Sequence, residues 1–240
     1  MIDPADAAAG PAAIRFSSDA LGLRLTIDRA EMLFTSAAAG DFFDPTDEAA
    51  EAVESLSAVA RDHWAQDQQI HGSHVNVIRA GEPVTPFTSP ADGQASDRDD
   101  LLCAVRTADC LAVLVTSGRA VAAIHAGWRG LSGGVIAAGV AALRELDSGP
   151  LSAAIGPGAR GCCYEVGDQI RETFSDYPAA AEKPGTLDLA VVAAAQLEAL
   201  GVGSIYDCGI CTICSEPEEF FSHRRDDGET GRMLGAVWLS

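Results

Sequence analysis

Apolar and polar positions along this chain predict short strands interleaved with helices. Near the N-terminus, AIRF, LRLTI and EMLFTS show the alternation of strands with one buried face. Further on, LAVLVTS and AVAAIHAG are continuous apolar runs suited to adjacent buried strands. Ser117 and Gly118 lie between these two runs and predict a hairpin turn. LSAAIGP and the C-terminal MLGAVWL predict two more strands, the latter after an FFSHRRDDGETGR loop.

Three other segments have helical spacing. A helix start is predicted at Thr46, and the apolar positions that would follow on one face are Val53, Leu56, Ala60 and Trp64. A second helix is predicted from Val135 to Leu146. The third follows Asp188, and its apolar positions are Leu189, Val192, Leu197 and Leu200.

The interleaving of strands and helices predicts an α/β or α+β fold in which mixed β-sheets are flanked by helices. With 240 residues, 48% of them hydrophobic, the chain is long enough to form a full core. We expect a single domain over residues 14–240 and a disordered, Ala/Pro-rich segment over residues 1–13. Gly81 to Asp100 is rich in turn formers and charge, which predicts a long exposed loop.

The charge of the chain limits its partners. A formal net charge of -19 opposes binding to a nucleic-acid polymer or an anionic membrane, although arginines can still hold a small anion locally. No apolar run reaches the roughly 18 residues of a membrane span, and the N-terminus lacks the basic start and apolar stretch of a signal peptide. We therefore expect a cytoplasmic protein. The oligomeric state is not indicated.

Three short segments place a candidate metal ligand beside a strand end or a glycine: QQIHGSHV, RTADCLAVLV and AAIHAGWRGL. If the two apolar strands pair through the short turn, Cys110 and His125 lie at the same end of the sheet. His71 precedes Gly72, where a turn can direct its ring to the same place, whereas His74 begins the next strand and would face the other way. We therefore predict that His71, Cys110 and His125 bind zinc. Three protein ligands leave the fourth tetrahedral position open for chemistry.

The seven cysteines are interpreted as reduced thiols, metal ligands or core residues rather than as disulfides. Cys208, Cys211 and Cys214 form C-x-x-C-x-x-C, a spacing found at zinc and iron-sulfur sites, but no fourth ligand follows nearby. Cys211 and Cys214 are therefore interpreted as structural thiols. The adjacent pair of cysteines in GCCYEVG is interpreted as packing residues.

Five motifs occur in order between His71 and Leu239: IHGSHV, TADCLAVLV, AIHAGWRGL, IGPGARGCCYEVG and CTICSEPEEFFSHRRDDGETGR. Together they resemble the YfiH-type laccase-domain family. Its members were first described as multicopper polyphenol oxidases and are now regarded as zinc-dependent purine nucleoside phosphorylases. The resemblance implies a fold similar to that of the cytotoxic necrotizing factors and one zinc ion per chain. It also implies that His71, Cys110 and His125 bind the ion.

The implied reaction is phosphorolysis of adenosine, inosine and methylthioadenosine, with adenosine deamination alongside. Deamination by water requires a group that handles protons, and Asp109 is the nearest carboxylate in sequence. Phosphorolysis requires arginine donors for the phosphate. The candidates are Arg224, Arg225 and Arg232, with Arg129 as a second choice.

Three alternatives remain open. Cys110 and His125 would serve as nucleophile and base of a cysteine hydrolase or amidase. Copper-dependent phenol oxidation is less favoured, because it needs several coppers and more than the five histidines present. A metal-binding protein without phosphorolysis is the third. The segment before His71 lacks the basic residues usual in the family, and the polar ADGQASDRDD stands where the family has a strand.

Overall fold

The structure is a computed structural model that describes residues 15–84 and 90–240, so the predicted disordered segment 1–13 lies outside the described residues. The described strands are β1 (Ser17–Ser18), β2 (Gly22–Ile27), β3 (Ala30–Thr35), β4 (Trp64–Ala65), β5 (Asn76–Ile78), β6 (Gly93–Ser96), β7 (Leu102–Thr107), β8 (Leu111–Thr116), β9 (Val121–Ala126), β10 (Ser152–Ile155), β11 (Ser204–Asp207) and β12 (Met233–Leu239). The α-helices are α1 (Asp47–Ser57), α2 (Trp128–Ser132), α3 (Val135–Arg144), α4 (Asp168–Thr173) and α5 (Leu189–Ala199). Short 3-10 turns occur at Ala37–Ala39, Arg61–His63 and Pro178–Ala180. No helix in these ranges is long and apolar enough to cross a membrane.

The strands form two six-stranded mixed sheets, ordered β1-β2-β3-β12-β7-β4 and β11-β10-β8-β9-β6-β5. One core lies between the sheets and is built from inward-facing residues of both, such as Val105 and Leu114. A second core lies between the second sheet and helices α3 and α5, and a third packs α1 on the first sheet. The prediction of an α+β fold with mixed sheets flanked by helices in one domain is therefore confirmed.

The β8–β9 hairpin is central to the second sheet and was predicted correctly. The two strands are antiparallel, and Thr116 pairs with Val121 across the turn. Both strands are buried on both faces: Leu111, Val113 and Val115 lie in the core beside the helices, while Leu114 lies in the core between the sheets. Burial on both faces explains the continuous apolar runs.

Helix ends differ from the predicted positions. Thr46 caps α1 as expected, because its hydroxyl accepts a hydrogen bond from the amide of Ala49. The helix nevertheless ends at Ser57, since Ala58 adopts a left-handed backbone with φ 57°. Ala60 therefore does not lie on its apolar face, and Trp64 begins β4.

Asp188 caps α5, accepting hydrogen bonds from two amides, but the helix ends at Ala199 and Leu200 is exposed. The helix predicted to reach Leu146 ends at Arg144. In the predicted AIRF strand, Arg15 and Phe16 are not in a strand, and the other two residues lie outside the described residues.

The prediction of a long exposed loop from Gly81 to Asp100 is wrong. Strand β6 lies within this segment, is fully buried, and pairs with both β5 and β9. Its polar side chains are tolerated because they form hydrogen bonds: Ser96 donates to the carbonyl of Ile78, and the Gln94 amide donates to Asp67. The polar sequence ADGQASDRDD therefore contains a strand rather than replacing one.

Candidate functional site

The β8–β9 hairpin brings two of the predicted ligands together. Ala112 pairs with His125, so Cys110, two residues before Ala112, lies at the same end of the sheet as His125. His71 approaches from the turn before β5, with a left-handed backbone of φ 60°. The ligand atoms of His71, Cys110 and His125 all lie within 4.8 Å of one another. The three side chains form a group that can hold a metal ion.

A buried carboxylate, Asp92, orients both histidines. One oxygen accepts hydrogen bonds from the His71 amide at 2.9 Å and from Nδ1 of His125 at 2.8 Å. The other accepts from the amides of Gly72 at 2.6 Å and Ile70 at 3.3 Å. Because Nδ1 of His125 is engaged in this way, Nε2 is left for a ligand, which is the usual arrangement behind metal-binding histidines.

The electrostatics of the group favour a thiolate. Burial raises the pKa of the Cys110 thiol, but the charge of His125 and hydrogen bonds from His125 and His71 outweigh this effect and lower the pKa to about 6. Burial lowers the pKa of His125, whereas the Cys110 thiolate and Asp92 raise it to about 9. Without a metal ion, the pair is therefore a thiolate beside an imidazolium.

Gly127 keeps the space around the group clear. A Cβ atom at this position would lie 2.7 Å from Sγ of Cys110 and 3.3 Å from the ring of His71. The rings of His71 and His125 meet edge to face, with centroids 4.9 Å apart. His74 does not join them, because its Nε2 is hydrogen-bonded to the side-chain oxygen of Asn76.

A cavity of about 520 Å³ opens over this group. Its lining combines the three ligand residues with aromatic and basic side chains: Phe43, Gln69, His71, Arg106, Ala108, Asp109, Cys110, His125, Trp128, Arg129, Tyr164, His223, Arg224 and Arg232. The cavity thus includes every predicted site residue except Arg225.

Asp109 has both carboxylate oxygens occupied. One accepts a hydrogen bond from the hydroxyl of Thr212 at 2.6 Å, and the other accepts one from the amide of Arg224 at 2.6 Å. Its backbone has φ 82°, and its side chain is buried. Such contacts hold the C-terminal loop against the metal-ligand group, so Asp109 has a positioning arrangement rather than that of an open proton acceptor.

Several arginines meet at the cavity wall. The guanidinium of Arg224 lies over the Tyr164 ring, 4.9 Å from its centroid, and Arg129 lies over Trp128 at 4.5 Å. Burial and the positive charge of Arg232 lower the pKa of Arg106. Two guanidinium groups that oppose each other's charge create a local preference for an anion.

Arg225 is not brought to the cavity. Its guanidinium donates to the carbonyls of Thr212, Ser215 and Phe220, and it also pairs with Asp226. These contacts fix the shape of the C-terminal loop. The structure therefore does not place Arg225 where the sequence suggested, beside a phosphate.

Sequence reasoning missed Asp92, Arg106 and the aromatic walls Phe43 and Tyr164. Asp92 was hidden in a segment interpreted as an exposed loop. Arg106 precedes the TADC motif, at the end of a strand beside a predicted ligand, and this position was an available signal. Tyr164 follows the adjacent cysteines, but nothing local to its motif indicates that it faces the hairpin.

Comparison with known proteins places this geometry in a family. The model of the family described as multi-copper polyphenol oxidoreductase laccase matches residues 33–240. Purine nucleoside phosphorylase YfiH of Shigella flexneri is 38% identical over 181 residues, covering 72% of each chain. A purine nucleoside phosphorylase of Streptomyces coelicolor is 40% identical over 183 residues, covering 71% of this chain and 73% of that protein.

Solved structures agree. The crystal structure of the hypothetical protein YfiH from Bacillus licheniformis superposes with a TM-score of 0.81 at 27% identity, covering 94% of this chain and 99% of that one. The crystal structure of YlmD from Geobacillus stearothermophilus gives a TM-score of 0.79 at 27% identity, with the same coverage. With the family match spanning both sheets and all three predicted ligands, this chain belongs to the YfiH-type family of multi-copper polyphenol oxidoreductase laccases.

Proposed function

We propose that this protein is a metal-dependent purine nucleoside phosphorylase that also deaminates adenosine. The observation that carries the proposal is the shared cavity: a His-Cys-His group lies at its floor, and Arg106, Arg129, Arg224 and Arg232 contribute to its lining. The relatives named purine nucleoside phosphorylase support the same reaction class.

The donor set fits zinc. Two imidazoles and a thiolate that is already ionised near neutral pH are preferred zinc ligands, and Asp92 fixes the orientation of His125. When bound, the ion would supply Lewis acidity toward the substrate or an activated water. The same donors also suit copper, and metal analysis of the purified protein distinguishes the two.

The arginines supply the phosphate subsite. In phosphorolysis, positive charge builds on the sugar ring as the base leaves, so the attacking phosphate must be held in place with its negative charge matched. Arg106 and Arg232 lie close enough to perturb each other electrostatically, and a phosphate between them would relieve that repulsion. Arg224 and Arg129 extend the basic wall from their positions over Tyr164 and Trp128.

The size and lining of the cavity suit a nucleoside. About 520 Å³ falls in the range of small-molecule sites, and aromatic faces suit a flat purine ring. Phe43, Trp128 and Tyr164 offer such faces. The chain therefore combines a stacking wall for the base with a basic wall for the phosphate.

Product analysis tests the proposal. Purified, zinc-loaded protein is incubated with adenosine in the presence and absence of phosphate, and the bases and nucleosides are separated by chromatography. We expect adenine only when phosphate is present, and inosine under both conditions. Cys110→Ala, which removes a ligand, should abolish both products. If the zinc-loaded protein forms neither product, the proposal is rejected.

The thiolate-imidazolium pair of Cys110 and His125 specifically favours a second candidate, a cysteine hydrolase or amidase. The two candidates respond oppositely to the metal. A hydrolase that uses the free thiolate gains amide-cleaving activity when a chelator removes the ion, whereas the phosphorylase loses its activity under the same treatment.

A further inference from the structure

Four cysteines outside the cavity form a second group with potential metal ligands. The sulfur atoms of Cys162, Cys163, Cys211 and Cys214 all lie within 4.8 Å of one another. Cys163 and Cys214 form a disulfide, and Sγ of Cys162 lies 3.3 Å from Sγ of Cys214. Cys162, Cys163 and Cys211 are partly buried, and Cys214 is exposed. The group brings together two segments interpreted from the sequence as separate packing and structural thiols.

Backbone pairing holds these two segments side by side. Strands β10 and β11 are parallel neighbours, and their continuations remain in contact past the strand ends. The amide of Gly158 donates to the carbonyl of Ile210, and the amide of Thr212 donates back to the carbonyl of Gly158. The turn after Gly158 then presents one cysteine pair, and the turn after Ile210 presents the other.

The number of sulfurs exceeds what a disulfide needs. A single Cys163–Cys214 bond leaves two further sulfurs, of Cys162 and Cys211, in the same small volume, and a disulfide does not require them there. Four thiolates around one ion are the ligand set of a structural zinc site, and Cys211 and Cys214 have the C-x-x-C spacing common in such sites.

We propose that in the reduced protein these four cysteines bind one zinc ion as a tetrathiolate site, separate from the His-Cys-His group. In such a site, zinc-sulfur bonds of about 2.3 Å put the sulfurs roughly 3.8 Å apart, and the observed limit of 4.8 Å needs only small side-chain adjustments. A dithiol reductant delivers two electrons and two protons to the Cys163–Cys214 bond. Zinc then replaces the protons of the four thiols.

Cys208 marks the boundary of the proposed site. It belongs to the same C-x-x-C-x-x-C run, but its sulfur is not part of the four-sulfur group. The fourth ligand that the run lacks is instead supplied by the distant Cys162–Cys163 pair.

The position of the site gives it a structural role at the cavity. Tyr164, which follows Cys163, lines the cavity, and Thr212, which follows Cys211, donates a hydrogen bond to Asp109. The carbonyls of Thr212 and Ser215 accept hydrogen bonds from Arg225 of the C-terminal loop. An ion that ties the two cysteine turns together therefore fixes the wall that carries Tyr164 and the loop that carries Arg224.

Metal stoichiometry of the full chain tests the proposal without depending on its enzymatic activity. The protein is purified with zinc and a dithiol reductant, desalted, and analysed by mass spectrometry for metal and for free thiols. We expect two zinc ions per chain in the unmodified protein and one in Cys110→Ala. Cys211→Ser should also retain one, and the double variant none. Cys208→Ser is the matched control and should retain two.

Cobalt and thiol protection identify the ligands directly. In Cys110→Ala, cobalt should give the visible absorption of a tetrahedral tetrathiolate ion, and zinc should slow alkylation of Cys162, Cys163, Cys211 and Cys214 until a chelator is added. This measurement needs no substitution in the cluster, so it decides the question even if Cys211→Ser fails to fold. Reduced, folded Cys110→Ala without zinc or cobalt binding overturns the proposal. Equal metal loss in Cys208→Ser overturns the ligand assignment.

Discussion

Replacing Asp92 with asparagine tests whether this one carboxylate organises the metal centre. The Asp92 side chain is fully buried, and each of its oxygens accepts two hydrogen bonds. An asparagine has only one acceptor oxygen. Whichever way the amide is turned, two N–H donors face an NH2 group: either those of His71 and His125 or those of Ile70 and Gly72.

The expected magnitude follows from these contacts. Each buried donor left without a partner costs about 1–3 kcal/mol, so the Asp92→Asn variant should lose roughly 2–6 kcal/mol of unfolding free energy. Loss of the carboxylate behind a metal-binding histidine typically weakens metal affinity by about 10–100-fold. Zinc affinity is measured by competition with a chromophoric chelator, taking as the signal only the metal that Cys110→Ala fails to bind. Urea unfolding followed by tryptophan fluorescence gives the stability.

Asp67→Asn is the matched control. Asp67 is also a buried carboxylate, but a single oxygen accepts from both Asn76 at 2.7 Å and Gln94 at 3.2 Å. An asparagine can turn its one oxygen toward both donors, and neither donor touches the histidines. Zinc affinity should therefore be unchanged in Asp67→Asn. A folded Asp92→Asn variant that binds zinc as tightly as the parent protein would refute the reasoning.

Three further outcomes are expected. In chelator-treated protein, Cys110 should be alkylated by iodoacetamide at a rate that falls as pH drops through about 6, because only the thiolate reacts, and peptide mapping should show no such reactivity for Cys103, whose pKa burial raises. Arg106→Gln should raise the KM for phosphate by about 10-fold or more while leaving the KM for adenosine near its original value, since a charge-assisted contact is worth roughly 1.5–3 kcal/mol; an equal change in Arg144→Gln, on the surface of α3, would contradict a specific role. Gly139→Ala should lower stability by about 1–3 kcal/mol in urea unfolding, because its Cβ would collide with the side chain of Ile124, and unchanged stability would show that the packing there yields.

The part of the site that could be predicted from the sequence is the part that one hairpin determines. Cys110 and His125 come together because two unbroken apolar runs are joined by a short turn, and this information is contained within about twenty residues. His71 was chosen by the direction of a short turn, and its ligand atom does lie beside theirs. The positive φ of His71 had no local signal, because it depends on three successive amides that bind Asp92.

The remainder depends on contacts between distant segments. Strand β6 was missed because Gly93–Ser96 has no apolar periodicity, and its burial is stabilised by hydrogen bonds and by close approach to β9, where a Cβ on Gly93 would lie 2.7 Å from the carbonyl oxygen of Ala123. The four-cysteine group was missed because its halves lie about fifty residues apart in sequence, and only the parallel pairing of β10 with β11 aligns them. Local patterns specify which residues can serve as ligands, whereas sheet register decides which of them meet.

Sheet register also explains how a strongly acidic chain can have a cavity suited to phosphate. The net charge is -19, yet four of the 16 basic residues line one cavity of about 520 Å³. They come from separate segments: Arg106 ends β7, Arg129 lies in α2, and Arg224 and Arg232 lie in or beside the C-terminal loop. The long-range field repels extended polyanions, and ions in solution screen it beyond about 8–10 Å. Over the few ångströms inside the cavity the arginines dominate, so the same protein discourages nucleic acid and can still accept a single small oxyanion beside the metal-ligand group.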